Sequence, residues 1–242
     1  MNFFSLIKRN TIFFFKKKIN IDNHKFKKNI QLNDLFLFYG TDKSSHSHGF
    51  SKFYIKHLNR FKNKKINILE IGAATGASAS AFAHYFKKSK IYCVDINLTL
   101  VKYESKKINY FGINSSDKKK LLNLIEKLKN KFSIKNFDII IDDGSHILSD
   151  QLKALNFFFN KINKNGFYII EDFKFPNYFK RNKNVNDILI DSLITKIKEK
   201  SYFKSNYIDD KKQNKLFDSV SSLSVYKGNL KGSDICFIKK KH

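Results

Sequence analysis

From Ile66 onward the hydrophobic pattern alternates between two periods. INILEI (66–71) is an almost continuous apolar run, as expected of a strand buried on both faces. GAATGASASAFAHYFKK follows as a turn running into a small-residue helix. KIYCVDI (90–96) is a second strand and INYFGIN (108–114) a weaker third. KKKLLNLIEKLKNKF (118–132) has helical spacing with a lysine-rich outer face. FDIIID, from Phe137, is the next strand. A helix near Ser149–Asn160 and a strand at GFYIIED (166–172) come after it. Strands alternating with helices predict a parallel sheet covered on both faces. The last stretch differs. DILIDSLITKIKEK (187–200) is an amphipathic helix, and VSSLSVYKGNLKGSDICFIKKK holds two strand-like runs joined around Gly228 and Gly232. They read as an antiparallel hairpin closing one edge. The expected fold class is therefore α/β, with a doubly wound, mostly parallel seven-stranded sheet and a C-terminal antiparallel hairpin. Residues 1–30 read as a basic extension, 31–64 as a polar, His-rich prelude or lid, and 65–242 as the core domain.

Composition narrows this picture. A chain of 242 residues suits one domain with an appendage, and 26 phenylalanines are ample for a packed interior. The net charge of +26 first suggests nucleic acid or an anionic membrane. However, only Arg9, Arg60 and Arg181 are arginines, and base reading and bidentate phosphate recognition favour arginine. The excess of Lys, Asn, Ile and Phe reads as AT-rich codon usage spread over a solvated surface, so a nucleic-acid partner is disfavoured. MNFFSLIKRNTIFFFKKK, basic and aromatic, reads as a poorly ordered extension without a signal-peptide core; peripheral membrane contact through it is the second reading. No apolar run approaches the roughly 20 residues of a membrane span. Cys93 and Cys236 lie far apart in apolar runs, as expected of reduced, buried thiols in a cytoplasmic protein.

Chemistry begins at LEIGAATGAS, which sets Glu70, Gly72 and Gly76 at the junction of the first core strand and its helix. Glycines there admit close backbone approach, and the helix start favours polar or anionic groups. Asp95 ends the next strand, 19 residues after Gly76, close to the spacing expected of an acid on a ribose hydroxyl. Ala74 and Ala77 stand where a dinucleotide fingerprint would carry glycines, so nicotinamide is disfavoured. E-x-G-x-x-x-G followed by an acidic strand end resembles the class I S-adenosylmethionine-dependent methyltransferases, whose Rossmann-like fold also closes with an antiparallel hairpin. The resemblance implies S-adenosylmethionine as cofactor, with Gly72, Gly76 and neighbouring Glu70 at its methionine part, Asp95 on the ribose and Asp117 on the adenine side.

The stretch FDIIIDDGSH (137–146) then takes on meaning. Parallel strands joined by one crossover open on the same sheet edge, so Asp143 would meet Glu171 and Asp172, 28 residues on. Three carboxylates repel one another, and a hard divalent cation such as Mg2+ relieves this. His146, three residues after Asp143, is placed to accept a proton from a substrate hydroxyl. Asp142 is left open between orienting the turn and lining the pocket.

D-D-G-S-H with a later E-D resembles a narrower group: metal-dependent sugar O-methyltransferases of natural-product pathways, related to cephalosporin-hydroxylase-like proteins. YGTDKSSHSHGFSKFY (39–54) resembles the G-T-D-K segment preceding their core. The resemblance implies Asp143, Glu171 and Asp172 as metal ligands, His146 as catalytic base, and a sugar hydroxyl of a glycoside or polysaccharide precursor as acceptor. His46 and His48 read as part of a mobile substrate lid. Three alternatives are carried forward: an RNA-binding protein, an RNA methyltransferase using the lysines, and a methyltransferase fold retained for binding only. A homo-oligomer is left open.

Overall fold

The computed structural model describes residues 3–174 and 186–242. The first core strand, β2 (Ile66–Ile71), lies between β3 (Ser89–Asp95) and β6 (Phe137–Asp142), and β5 (Ile108–Gly112) forms one edge. β7 (Ile162–Glu171) pairs with β6. The hairpin strands β8 (Val220–Lys227) and β9 (Asp234–Lys240) follow, giving the order β5-β3-β2-β6-β7-β9-β8. The first five of these are parallel and the hairpin runs antiparallel, as the sequence pattern predicts. This is a doubly wound, Rossmann-like arrangement.

Each face of the sheet buries its own layer. On one side α4 (Ala77–Tyr85) supplies Ala79, Ser80, Ala81 and Ala83, whose small side chains let the helix lie close against the strands. α2 (Leu32–Tyr39) and α3 (Ser51–Leu58) pack on the same side through Leu35, Phe36, Tyr54 and Leu58, all fully buried. On the other face α5 (Lys118–Phe132), α6 (Leu148–Phe158), α7 (Ile190–Glu199) and α8 (Asp210–Ser219) cover the sheet. α5 does so through Leu121, Leu124 and Leu128, which recur at helical spacing.

Two sequence expectations need correction. Residues 3–15 do not form a poorly ordered extension. They make helix α1 (Phe3–Phe15), which buries Leu6 and joins the β5 edge through Asn10 Nδ2, donating to Gly112 O at 3.2 Å. Just beyond it β1 (Ile19–Asn20) pairs in parallel with β4 (Tyr103–Glu104). Likewise, residues 31–64 are no lid laid over the core. They supply much of one core layer, because their apolar residues cluster at α2 and α3 spacing.

Candidate active site

The C-terminal ends of the parallel strands are laced together. Gly72 N donates to Val94 O at 2.8 Å, Asp143 N to Ile71 O at 2.9 Å, and Asp172 N to Asp234 O at 2.8 Å. Beside these ends lies a crevice of about 300 Å³, lined among others by Gly72, Asp95, Asn114, Ser145, Ile147 and Asp150. Asp95 braces the glycine turn as well as lining the crevice. Its carboxylate accepts from Ala74 N at 2.9 Å and from Asn97 N at 2.7 Å. Gly76, at φ +79°, starts α4 and faces the Tyr110 hydroxyl, where a side chain would collide.

Ala74 has φ +43°, so the turn takes the left-handed conformation even where glycine is replaced. Relief of that strain makes Ala74→Gly neutral to stabilising, by up to about 1 kcal/mol; a fall in thermal midpoint would contradict this.

Two expected cofactor residues stand elsewhere. Glu70 is fully buried behind the turn, where it accepts from Ser78 Oγ and lies 3.7 Å from Cys93 Sγ; burial pushes its pKa up to about 7. It does not line the crevice. Asp117 caps α5, accepting from Lys120 N at 3.1 Å, and the crevice at that end is lined by Asn114 and Ser115. An acidic residue just before a helix satisfies orphan N–H groups, which explains Asp117 without a ligand.

The carboxylate cluster forms at the ends of β6 and β7. Asp143, His146 and Asp172 each present a ligand atom within 4.8 Å of the others. His146 Nε2 is 3.7 Å from Asp143 Oδ1. His146 and Asp172 hold φ values of +53° and +49°, backbone strain concentrated in the cluster. Glu171, expected as a third metal ligand, faces a different partner set: its carboxylate accepts from Lys43 Nζ and from the Tyr54 hydroxyl. Lys43 Nζ also pairs with Asp143 Oδ2. Burial opposes the Lys43 charge, but Asp143 and Glu171 outweigh it and hold the ammonium well above the ordinary lysine pKa. Burial likewise pushes Asp143 and Glu171 up, against the pull of Lys43.

His48, read from the sequence as part of a lid, is buried. Its Nδ1 hydrogen-bonds with Ser233 Oγ at 2.7 Å and lies 3.2 Å from Asp172 Oδ1. Asp172 raises the imidazole pKa. His46 is exposed. Asp142 accepts from the Tyr168 hydroxyl at 3.0 Å, and burial lifts its pKa to about 7, so it braces β6 against β7.

The cluster's two carboxylates suit a hard divalent cation at Asp143 and Asp172, with the His146 imidazole beside them. The glycine turn and Asp95 suit a ligand carrying an adenosine ribose. A family model described as "Methyltransferase domain" matches residues 62–226. The chain belongs to this methyltransferase family. Among curated methyltransferases it is 30% identical over 145 residues to the 8-demethyl-8-alpha-L-rhamnosyl tetracenomycin-C 2'-O-methyltransferase of Streptomyces olivaceus, covering 57% of this chain and 36% of that one. It is 28% identical over 155 residues to the L-olivosyl-oleandolide 3-O-methyltransferase of Streptomyces antibioticus, covering 61% and 38%. The chain thus spans little more than a third of the length of these methyltransferases. A solved structure of MycE, a methyltransferase from the mycinamycin biosynthetic pathway in complex with Mg and SAH, superposes with a TM-score of 0.69 at 21% identity. It covers 89% of this chain and 56% of MycE, a likeness of fold.

Proposed function

We propose that the chain is an S-adenosylmethionine-dependent O-methyltransferase acting on a sugar hydroxyl of a glycoside or polysaccharide precursor, assisted by a divalent cation. The observation that carries this is the convergence of Asp143, Asp172 and His146 next to the crevice of the glycine turn. The names of the two relatives given above, which point to a rhamnosyl and an olivosyl group on a larger molecule, support the acceptor class. S-adenosylmethionine would supply an electrophilic methyl group, and a cation held by Asp143 and Asp172 would supply positive charge beside the acceptor hydroxyl.

The chain's own residues do the rest. Gly72 keeps the turn low enough for close approach, and Asp95 is placed for the ribose hydroxyls. His146 Nε2, the ring nitrogen nearest Asp143, accepts the acceptor's proton, and Asp143 steadies the imidazolium that results. Lys43, Tyr54 and His48 hold Glu171, Asp143 and Asp172 in place.

Screening glycoside acceptors with labelled S-adenosylmethionine, with and without Mg2+, tests the reading. His146→Ala is expected to lower turnover by about 10²–10⁴-fold while cofactor affinity stays near wild type. Full turnover of that variant would remove the base, and activity that survives chelation would remove the cation. Methylation of RNA, with steeply salt-dependent binding, would favour the nucleic-acid alternative.

A further inference from the structure

Helix α1 carries two apolar faces. The inner one holds Leu6 and Phe13; the Phe13 ring meets Tyr110 edge-on at 5.8 Å, and just past the helix Lys16 Nζ donates to Thr99 O at 2.7 Å. The outer one exposes Phe4 (75%), Ile7 (47%), Ile12 (45%), Phe14 (76%) and Phe15 (80%). At about 100° per residue these five fall on one arc of roughly 160°. Isolated exposed apolar residues are ordinary, but five on one short helix make a patch. Ile19 just past the helix and Leu100 in the turn against which α1 packs are exposed as well.

Lys8 and Thr11 share this arc, so it is an apolar surface edged by charge, and an apolar stripe of this width is normally covered. The charge around this one selects what would enclose it. Lys8, Arg9, Lys16, Lys17 and Lys18 lie in or beside α1, and the first acidic residue is Asp22. A second copy, also carrying +26, would bring these lysines against their own kind. An anionic lipid surface attracts the lysines and accepts the phenylalanines together. We propose that α1 is an interfacial membrane anchor, lying in the headgroup region of an anionic bilayer with Phe4, Ile7, Phe14 and Phe15 inserted. No described helix is long and apolar enough to cross a membrane, so the contact is peripheral.

The test is sedimentation of the full chain with vesicles of phosphatidylcholine containing phosphatidylserine, and with pure phosphatidylcholine vesicles. Wild type is expected to sediment with the anionic vesicles and to retain part of that binding in high salt, because apolar insertion is not screened. The triple substitution Phe4→Ser, Phe14→Ser, Phe15→Ser should weaken binding at least about tenfold with the thermal midpoint unchanged, since all three side chains are exposed. Equal binding of wild type and triple variant would overturn the proposal, leaving only a diffuse lysine attraction. So would absence of binding, or a wild-type dimer that the triple substitution dissolves. Reversal of the exposed Lys8 and Lys17 to glutamate should weaken sedimentation with the anionic vesicles at least about tenfold while leaving the fold intact, since Lys16 and Lys18, which bond to Thr99 O and Phe13 O, are untouched; undiminished binding would overturn the electrostatic half.

Discussion

Replacing Lys43 by methionine is expected to destabilise the protein by about 3–5 kcal/mol and to make its remaining stability depend on divalent cations. Methionine keeps most of the aliphatic stem of a side chain that is 1% exposed, so packing changes little. What disappears is the ammonium shared by Asp143 and Glu171. Glu171 is buried and Asp143 half-buried, and desolvation already pushes their pKa values up while Lys43 pulls them down. Without it, two carboxylates confront each other in a poorly solvated site, with the Tyr54 hydroxyl the one side-chain donor left to Glu171 among the described residues. A divalent cation can take over the charge the ammonium supplied. Mg2+ or Mn2+ should therefore raise the thermal midpoint of the variant more than that of wild type, as mass action requires of any ligand that binds only the folded state. Adding Glu171→Gln should recover part of the loss, because the second uncompensated charge is then gone. A Lys43→Met protein within about 1 kcal/mol of wild type, with no added response to cations, would show that the pair is solvated in solution.

Lys43 also marks where sequence reasoning stopped. The strands and the helix over 118–132 stand where hydrophobic period puts them, because the residues each turns toward the shared core recur at that element's own spacing. The glycine turn and DDGSH were legible because they are local. Lys43 reaches Asp143 across 100 residues and Glu171 across 128, and His48 reaches Ser233 across 185. G-T-D-K and H-x-H signalled polar chemistry, but nothing local says that such residues become buried beside the strand ends. Glu171 illustrates the converse. Strand alternation places it at the right sheet edge, yet its carboxylate turns to Lys43 and Tyr54 while neighbouring Asp172, at positive φ, turns to Asp143 and His146. Helix α1 has another reason: its apolar residues lie on two sides, and Lys8, Arg9, Asn10 and Thr11 do not gather into a single polar face for periodicity to find.

Gly72→Ala is expected to be the most damaging single methyl group that can be added near the crevice. At φ +92° an alanine is strained on its own account. Its Cβ would also land on the carbonyl oxygen of Asp143, well inside contact distance, and crowd Gly144 Cα. Neither is a flexible side chain that could swing aside. The strand ends must part, which breaks the lacing of Gly72 N to Val94 O and of Asp143 N to Ile71 O. A cost of at least about 3 kcal/mol follows. The glycine turn and the carboxylate cluster are displaced together, so cofactor affinity and turnover should fall in concert, turnover by about 100-fold or more. Gly40→Ala separates strain from crowding. Gly40 caps α2 at φ +71° with no atom within 4 Å of an added Cβ, so it should cost only about 1 kcal/mol and leave turnover alone. Calorimetric titration with S-adenosylhomocysteine and thermal melts of both variants decide the matter. If Gly72→Ala matched Gly40→Ala in both measurements, the strand ends would not be rigidly coupled, and the close seating of turn against cluster would play no part in binding.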